Sequence, residues 1–558
     1  MASIIKKTIK GHQYYYAREC RRVGGRPKIV WQKYLGRADD IVHALTQAQS
    51  PSPQEADVVE FGLSCALYDI AEKLNLVQII DRFCPKREQG VSVGQYMLLA
   101  AINRCCKPAS KSKIAQWYST TVLRRLMPVP RRALTSQRFW DNMGLVSPEN
   151  IRAIERELAS VIIEEEGIDL SCLLYDTTNF FTYIDTDTTS DIPQRGHNKQ
   201  KRGDLKQIGL ALLVSRDHRI PLFHEVYPGN IHDSSEFAGV IEELTRRFTE
   251  FARHCQDITL VFDKGNNSHA NLQRCGPYHY VGSLVASQHS ELLSIPLEQY
   301  SDISSGSRAY LTRKKVFGKE HVVCLTWSEE LYRCQMRGLR LQLSKRISKL
   351  QALQGKLQAR NEGLVRRGRK PTAAAVARYA SGIIKGQHME QIISYDVTDQ
   401  NGQVIFDYSV DHESISRIAE THFGKNVLFT DRQDMDAQTI VETYHAQYKI
   451  EDAFKQMKDP HHVSFWPVYH WTDQKIRVHA FYCVLALTLS SLLNRRIERA
   501  GSNLSPEEVY EQLSDIKELL LVYPHAKGKP KAVTTTNKMR DVQYQLFNVL
   551  NLGKSMPS

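Results

Sequence analysis

The sequence lacks the cysteine spacing of a metal-bound or disulfide-stabilised domain. Its 11 cysteines are scattered along 558 residues, and no C-x-x-C pair occurs. Cys105 and Cys106 are adjacent, a spacing that does not suit a metal site. This pattern argues against a structural zinc site and a disulfide framework, and it fits a reducing compartment. We therefore expect a cytoplasmic protein.

Long apolar runs are also missing. The first residues, MASIIKKTIKGHQ, are polar and do not form a signal peptide. The longest apolar stretch, Ala480 to Leu493, contains Tyr, Cys, Thr and Ser and is too short to span a bilayer. It predicts a buried core helix, in which His479 would be a core histidine. No membrane partner is expected.

The charge is unbalanced towards basic residues. Lys and Arg number 74 against 61 Asp and Glu, which gives a formal net charge of +13. Such a surplus favours polyanionic partners, nucleic acid first, although a merely basic enzyme is an alternative. The composition is otherwise that of a globular protein, with 42% hydrophobic residues. The length suggests about three to five structural units.

Two N-terminal regions are candidates for binding DNA. Residues 1–56 predict a basic β-hairpin, with strands over residues 12–36 joined by Gly24-Gly25. Such a ribbon can enter a DNA groove, but a solvated hairpin is an equal alternative. Residues 57–168 predict a helical domain that serves DNA binding or dimerisation. The alternative is a helical region that only packs on the domain that follows it. Basic residues mark both regions: Arg18, Arg21, Arg22, Arg26, Lys28, Arg124, Arg125, Arg131 and Arg132.

From residue 169 the sequence predicts an α/β core. Short runs of branched and aromatic residues, LLYD, IGLALLVS, PLFHEVYPG, ITLVFD and HYVGSLVA, predict strands. Helices are expected from Ser234 to about Cys255 and over 267–274. The order of three strands, helix, strand, helix, strand matches the first part of a ribonuclease H-like fold. Residues 169–286 would form its first part, and residues 431–500, with a final helix from Asp436 to Asp459, its second.

A long mixed α+β insertion, residues 287–430, is expected to interrupt this core. It contains a leucine-striped basic helix around Leu339–Leu357 and a hairpin that turns at Asn401-Gly402. Residues 501–558 would be a helical tail. The predicted fold class is therefore α/β, a ribonuclease H-like core with this insertion, a helical N-terminal region and a helical C-terminal tail.

Three carboxylates are the candidate catalytic residues and metal ligands. Asp176 and Asp263 each end a predicted buried strand, and strand ends at one sheet edge are where α/β folds place ligands. Glu451 lies on the flank of the inward face of the predicted final helix. Hard oxygen ligands select Mg²⁺ or Mn²⁺. Two such ions, about 3.5–4 Å apart, can stabilise both the attacking and the leaving oxygen of a phosphodiester.

The segment around Glu451 resembles a known signature. Tyr444, Glu451 and Lys458 match the Y-(2)-R-(3)-E-(6)-K pattern of bacterial insertion-sequence DDE transposases of the "IS four" superfamily. Gln447 stands where that family has Arg, so the charge of one phosphate contact is missing. YDTTNFF and VFDKGNNS resemble the two aspartate motifs, and the chain length, GHQYYYAREC and RVHAFYCVLALTLSSLL resemble the long-chain subgroup.

The resemblance implies a DDE transposase. It would bind inverted terminal repeats as a homodimer, cleave the DNA with two Mg²⁺ or Mn²⁺ ions per site, and join 3′-hydroxyl ends to target DNA. A nuclease or resolvase on the same fold and a domesticated DNA-binding regulator remain alternatives. Gln447→Arg is expected to be tolerated. The expected DNA contacts are Tyr444, Gln447, Lys458, the cluster Lys199, Lys201, Arg202 and Lys206 with Asp204 as counter-charge, and Trp327.

Two of these contacts have strong structural alternatives. An aromatic residue on an inward helix face, such as Tyr444, is usually part of the core. A tryptophan at the end of a strand, such as Trp327, is more often packed than free to stack on a DNA base.

Overall fold

The computed structural model describes most of the chain: residues 2–23, 26–47, 52–86, 90–185, 187–198, 202–231, 239, 242–243, 257–276, 278–400, 402–523 and 530–557. Lys199, Lys201, the turn residues Gly24-Gly25 and Asn401, and almost all of the predicted helix 234–255 lie outside these ranges. The chain divides into two compact units. The first comprises Met1–Cys65, Ser119–Val122 and Glu511–Ser558, and the second comprises Ala66–Tyr118 and Leu123–Tyr510.

The strands of the described residues are, in chain order, β1 Ala2–Ile9, β2 His12–Val23, β3 Arg26–Gly36, β4 Glu55–Glu60, β5 Cys172–Thr182, β6 Lys206–Ser215, β7 Pro221–Pro228, β8 Thr259–Val261, β9 His279–Ser283, β10 Ser301–Ser304, β11 Ser307–Val316, β12 Lys319–Ser328, β13 Ile393–Gln400, β14 Gln403–Val410, β15 Lys425–Thr430, β16 Lys517–Tyr523 and β17 Lys531–Thr536.

The helices are α1 Ala38–Gln47, α2 Gly62–Lys73, α3 Leu76–Phe83, α4 Val93–Cys106, α5 Lys111–Ser119, α6 Leu123–Leu126, α7 Ser136–Met143, α8 Pro148–Glu166, α9 His269–Arg274, α10 Ser290–Leu293, α11 Glu329–Asn361, α12 Ala373–Ile384, α13 Met389–Ile392, α14 His412–His422, α15 Ala437–His445, α16 Tyr448–Lys458, α17 Asp473–Arg499, α18 Pro506–Ser514 and α19 Asp541–Val549.

The first unit contains two three-stranded antiparallel sheets. One has the order β1-β2-β3, so the predicted hairpin gains a strand, Ala2–Ile9. The other has the order β17-β16-β4. Residues 57–60, predicted as helix, are therefore strand, and the predicted helical tail contains two strands. The partner of Val59 is Glu518, so this pairing depends on residues far away in sequence, which local periodicity does not reveal.

A nine-stranded sheet runs through the second unit in the order β10-β11-β12-β15-β9-β8-β5-β6-β7. In the half β7-β6-β5-β8-β9, the first three strands are antiparallel, and β8 and β9 run parallel to β5. The strands expected from LLYD to HYVGSLVA are confirmed, and so is the short helix over 269–274. The second unit is thus a mixed α/β structure around one large sheet.

The other half of that sheet comes from the range assigned to the insertion. β15 pairs antiparallel with β9, and β12 with β15, so four strands between residues 301 and 430 extend the core sheet. The range 287–430 predicted as an insertion thus contributes four strands to the core sheet as well as a subdomain of its own. Valines and aromatic residues of these strands are buried against strands and helices that the sequence alone does not identify as their neighbours.

A smaller mixed subdomain lies between β12 and β15. The predicted leucine-striped helix is α11, and its Leu339, Leu350 and Leu357 are buried. They pack with Val376 of α12 and Phe406 of β14 in one hydrophobic cluster. The hairpin of β13 and β14 forms as predicted. This subdomain, about residues 329–422, is the part of the insertion that stands outside the nine-stranded sheet.

The apolar stretch near residue 480 lies within α17, a helix of 27 residues. Among the described residues it is the one helix that is long and apolar enough to cross a membrane, but 94% of its apolar window is buried within the protein. Burial of this kind is typical of a core helix. His479 is fully buried and its Nε2 is 2.7 Å from the carbonyl oxygen of Phe465, which confirms a satisfied core histidine.

A network of buried basic groups surrounds α17. Arg104 of α4 is 1% exposed and donates to the carbonyl oxygen of Trp466 at 2.6 Å. Lys111 donates to the Tyr482 hydroxyl at 2.6 Å and lies 4.0 Å from the centre of its ring. His470 Nε2 lies 3.1 Å from His479 Nδ1. Burial, with the positive charges of Lys111 and Arg104 next, lowers the pKa of His470 to about 3.

Candidate functional site

The two predicted aspartates follow matching positions of two neighbouring parallel strands. In the ladder of β5 and β8, Leu174 is opposite Val261, and Asp176 and Asp263 each come two residues later. Parallel strands lie about 4.8 Å apart, and residues level with each other point to the same face of a sheet. The two acids therefore lie at the same end of the parallel ladder, each two residues after its last paired position.

Asp176 is not at the end of its strand as predicted. β5 continues to Thr182 because its other edge pairs with β6, where Asp176 is opposite Leu212. The pairing of β5 with β8 stops earlier, at Leu174. Asp176 thus lies just beyond the parallel ladder with β8, on a part of β5 that is paired with β6 only.

Asp263 does follow its strand, and it begins a short 3-10 helix, Lys264–Asn266. Its Oδ1 accepts the Lys264 N–H at 2.7 Å, and Asp176 Oδ1 accepts the Thr177 N–H at 2.8 Å. Asp263 and Lys264 are exposed, and Asp176 is half-buried. Each carboxylate is thus oriented by the next backbone amide.

The predicted final helix is divided into two. α15 ends at His445 and α16 begins at Tyr448. The Gln447 N–H bonds to the carbonyl oxygen of Tyr444, three residues back, at 3.0 Å, so the chain tightens at the junction. Tyr444 therefore lies on a different helix from Glu451, and the prediction that one helix carries the whole signature is wrong.

Glu451 is exposed in the first turn of α16, which packs against β5. Tyr444 is half-buried, and its hydroxyl donates to Ser283 Oγ at 2.8 Å. Burial raises the pKa of Tyr444 and the bond to Ser283 lowers it. The negative charges of Asp263, Glu451 and Asp176 all raise this pKa as well. The three acids come from a strand, a loop and a helix, and all three are near enough to Tyr444 for their charges to raise its pKa.

Lys458, at the end of α16, reaches the strand that carries Asp176. Its Nζ donates to Thr178 Oγ1 at 2.5 Å and lies 5.5 Å from the centre of the Phe180 ring. Side chains alternate along a strand, so Asp176, Thr178 and Phe180 share one face of β5. Lys458 thus places a positive charge on the face that holds the first aspartate.

The donor set suits a hard divalent cation, but the acids do not form a closed cluster. Within the described ranges, no three Asp, Glu, His or Cys side chains lie close enough together to hold a metal ion. Asp176 and Asp263 follow matching positions of β5 and β8, and Glu451 is exposed on the helix that packs against β5. Oxygen ligands of this kind match Mg²⁺ or Mn²⁺. Ion binding by all three acids therefore requires their side chains to move closer together.

The structure does not present Gln447 as a surface residue. It is 8% exposed and lies at the junction of α15 and α16. That leaves little of its amide accessible to a phosphate. Lys449, the cation two positions further along the chain, has its Nζ 4.0 Å from Asp217 Oδ1. Neither residue is placed as the missing arginine of the signature would need to be.

The remaining predicted DNA contacts are dispersed. Arg202 donates two hydrogen bonds to Asp204, at 2.8 and 2.7 Å, which confirms Asp204 as a counter-charge. Lys206 begins β6 and is half-buried. Trp327 is half-buried, and a Cβ on Gly424 would lie 2.6 Å from its Nε1, so the indole packs on that glycine. Stacking of Trp327 on a DNA base stays a prediction.

Two polar residues near the acids were not predicted from the sequence. Thr178 accepts the Lys458 hydrogen bond, and Ser283 accepts that of Tyr444. The alternation of YDTTNFF already places Thr178 on the face of Asp176. The role of Ser283 has no comparable sequence signal, because it depends on how α15 packs against β9.

The comparisons with known proteins give a family. A family model described as "Transposase DDE domain" matches residues 181–489, a span that begins after Asp176 and includes Asp263 and Glu451. No curated protein matches the chain. Among solved structures, a cryo-EM structure of the piggyBac transposase synaptic complex with hairpin DNA is 9% identical, with a TM-score of 0.35 over 81% of this chain and 79% of that chain. Since the family model matches more than half of the sequence, this chain belongs to the transposase DDE domain family.

Proposed function

We propose that this chain is an active DDE transposase that binds the inverted terminal repeats of its mobile element, cleaves the DNA and joins the 3′-hydroxyl ends to target DNA. One observation carries the proposal. Asp176 and Asp263 each lie two residues beyond Leu174 and Val261, the last paired positions of adjacent parallel strands, and the helix that carries Glu451 packs against the strand that carries Asp176. Family membership supports a transposase in general.

Asp176, Asp263 and Glu451 are the proposed catalytic residues and the ligands of two Mg²⁺ or Mn²⁺ ions. When bound, such a pair supplies stabilisation of the attacking and leaving oxygens of a phosphodiester. Thr177 and Lys264 orient the two aspartates through their backbone amides. Three anions on one face would otherwise repel both each other and the DNA.

Lys458 is the proposed contact to the phosphate near the cleaved end. Its hydrogen bond to Thr178 fixes the ammonium on the face of β5 that carries Asp176. A lysine there offsets part of the negative charge that the DNA backbone would meet. Tyr444 remains a neutral donor, because its pKa is raised, and its bond to Ser283 fixes α15 against the end of β9. Its own contact to phosphate follows from the resemblance.

Finer points of the proposal follow from the same resemblance and the sheet order. The half-sheet β7-β6-β5-β8-β9, with two parallel strands after three antiparallel ones, supports a ribonuclease H-like core. Tyr444, Glu451 and Lys458 support the "IS four" superfamily, and the chain length, GHQYYYAREC and RVHAFYCVLALTLSSLL support its long-chain subgroup. We further propose a homodimer on DNA, since two ends must be held together, and action in the cytoplasm.

The test uses duplexes that carry the element's ends, taken from the DNA flanking the gene. We expect Asp176→Asn, Asp263→Asn and Glu451→Gln each to abolish Mg²⁺-dependent cleavage while leaving end binding nearly intact. The matched control is Asp452→Asn, next to Glu451 on α16, whose carboxylate pairs with Lys455 at 2.8 Å. That variant should still cleave.

Three results would change the assignment. Near-normal cleavage by any one of the acid variants would remove that residue from the metal site. Cleavage without strand transfer into a plasmid would indicate a nuclease or resolvase. End binding without cleavage by the unaltered protein would indicate a domesticated regulator.

A further inference from the structure

The N-terminal sheet of β1, β2 and β3 is strongly basic and poorly covered. Residues 2–36 contain nine lysines and arginines and a single acid, Glu19. Glu19 is engaged by Arg21, whose Nε lies 3.1 Å from its carboxylate. Every residue of β3 from Arg26 to Tyr34 is exposed. The nine cations are Lys6, Lys7, Lys10, Arg18, Arg21, Arg22, Arg26, Lys28 and Lys33.

The two faces of this sheet differ. Residues opposite each other in the ladders project to the same side. One face carries a tyrosine cluster, in which the Tyr34 ring lies 5.2 Å from that of Tyr16 and 6.0 Å from that of Tyr14. Lys7 lies 4.9 Å above Tyr16, and Arg37, next to α1, lies 5.8 Å from Tyr14. Aromatic and cation–π contacts thus occupy this side.

The other side has cations around exposed apolar groups; we call it the open face. Its rows are given by the register: Lys6 and Tyr15 in one, Ile4, Ala17 and Lys33 in the next, then Glu19 with Trp31, and Arg21 with Lys28. Arg26 lies two residues before Lys28 on the same strand. Ile4 is 64% exposed and Trp31 46%. Five cations, Lys6, Arg21, Arg26, Lys28 and Lys33, share this face with one acid.

The open face combines an exposed tryptophan with lysines and arginines. A partner that fits it is anionic and has a recess that accepts an aromatic ring. Nucleic acid offers phosphates at the rim of a groove and base edges at its floor. The outer strands of a three-stranded sheet lie about 10 Å apart, close to the roughly 12 Å width of the major groove. Strands of other proteins enter DNA grooves in this way. An acidic protein would match the cations but not the groove-sized width.

We propose that the open face of the N-terminal sheet binds double-stranded DNA, with Lys28 and Lys33 on phosphates and Trp31 directed into the groove. This site is distinct in sequence from Asp176, Asp263 and Glu451. The inference does not depend on the chain cutting DNA. It assigns DNA binding to the sheet, where the sequence alone left a choice between the hairpin and the helical region.

The test is equilibrium binding of the full chain to a fluorescein-labelled duplex in EDTA, measured by anisotropy between about 50 and 300 mM salt. For Lys28→Ala with Lys33→Ala, we expect the log–log salt slope to fall by about 0.9 for each phosphate that the variant no longer neutralises. At about 0.1 M salt this corresponds to roughly 8-fold in affinity per phosphate and about 60-fold for the pair. The matched control is Arg337→Ala with Arg340→Ala, two exposed cations of α11, which should change little.

A second variant tests the aromatic contact. Trp31→Ala should weaken duplex binding by about 5-fold or more with an unchanged salt slope, because no charge is removed. All these positions are exposed, so circular dichroism and the unfolding temperature should match the unaltered chain; should Trp31→Ala fail to fold, the lysine pair still tests the proposal.

Several outcomes would overturn the inference. The first is an unchanged affinity for the duplex in Lys28→Ala with Lys33→Ala. The second is an equal loss of affinity in the control, Arg337→Ala with Arg340→Ala. The third is single-stranded DNA that competes for binding as strongly as duplex DNA does. EDTA and an Asp176→Asn background separate this result from failure of the catalytic proposal. In that background, binding through the sheet should persist even if the acids prove to have no catalytic role.

Discussion

Replacing Lys458 by methionine removes the ammonium near Asp176 and keeps most of the apolar stem. If Lys458 contacts one phosphate at the cleaved end, the log–log salt slope of end binding should fall by about 0.9, and affinity at about 0.1 M salt by roughly 8-fold. The hydrogen bond to Thr178 that this variant removes has a charged donor, so stability should fall by about 1.5–3 kcal/mol at most. Cleavage should fall further, by about 10²–10³, if the charge also acts on the transition state.

The assay is anisotropy with an end duplex in EDTA, followed by single-turnover cleavage in Mg²⁺. Lys455→Met is the matched control, since Lys455 lies on the same helix, its side chain is 73% exposed and it pairs with Asp452. Thr178→Val separates positioning from contact: it removes the partner of Lys458 and leaves the charge, so the salt slope should stay unchanged. An unchanged slope in Lys458→Met itself, or an equal change in Lys455→Met, would refute the phosphate contact.

Three further predictions concern stability. Gln447→Arg is expected from the sequence to be tolerated. In the structure Gln447 is 8% exposed at the junction of α15 and α16, so a charge there should lower the free energy of unfolding by about 1–3 kcal/mol and lower the unfolding temperature. An unchanged unfolding temperature would show that the junction opens to admit the arginine. Leu350→Ala, at a fully buried position of α11, should cost about 2–5 kcal/mol and increase proteolysis of residues 329–422, and a loss below about 1 kcal/mol would contradict its core role. His470 stays neutral in the folded chain down to a pKa of about 3 and binds a proton near 6.5 when unfolded. The free energy of unfolding should therefore fall as the pH falls below 6.5, by about 2 kcal/mol between pH 7 and pH 5. Calorimetry of His470→Gln should show a free energy of unfolding that depends less on pH.

Much of the α/β core could be predicted because its signals are local. Runs such as IGLALLVS and ITLVFD are buried on both faces, so they are apolar throughout and easily recognised as strands. The leucine stripe of α11 and the hairpin at Gly402 are equally local. Asp176, Asp263 and Glu451 followed from strand position and spacing, and their common effect on Tyr444 supports that grouping.

The errors have one cause, which is pairing between distant segments. β4 was predicted as helix because its partner strand, β16, lies more than 450 residues further along the chain. Strands β10, β11, β12 and β15 were assigned to an insertion because only hydrogen bonding to β9 shows that they extend the core sheet. The break at Gln447 does not interrupt the 3.6-residue pattern enough to be visible in the sequence.

By itself, then, the sequence determined which groups this protein has for the proposed chemistry: three acids with hard oxygen ligands, a lysine seven residues after the last of them, and a basic surplus suited to nucleic acid. Residue type and spacing suffice for that, because ligand preference and charge are properties of side chains. Only the tertiary structure decided where these groups meet. It placed Asp176 and Asp263 after matching positions of neighbouring strands, attached Lys458 to Thr178, buried Gln447 and left Trp31 exposed, because register, helix junctions and solvent access arise from contacts between segments far apart in the chain.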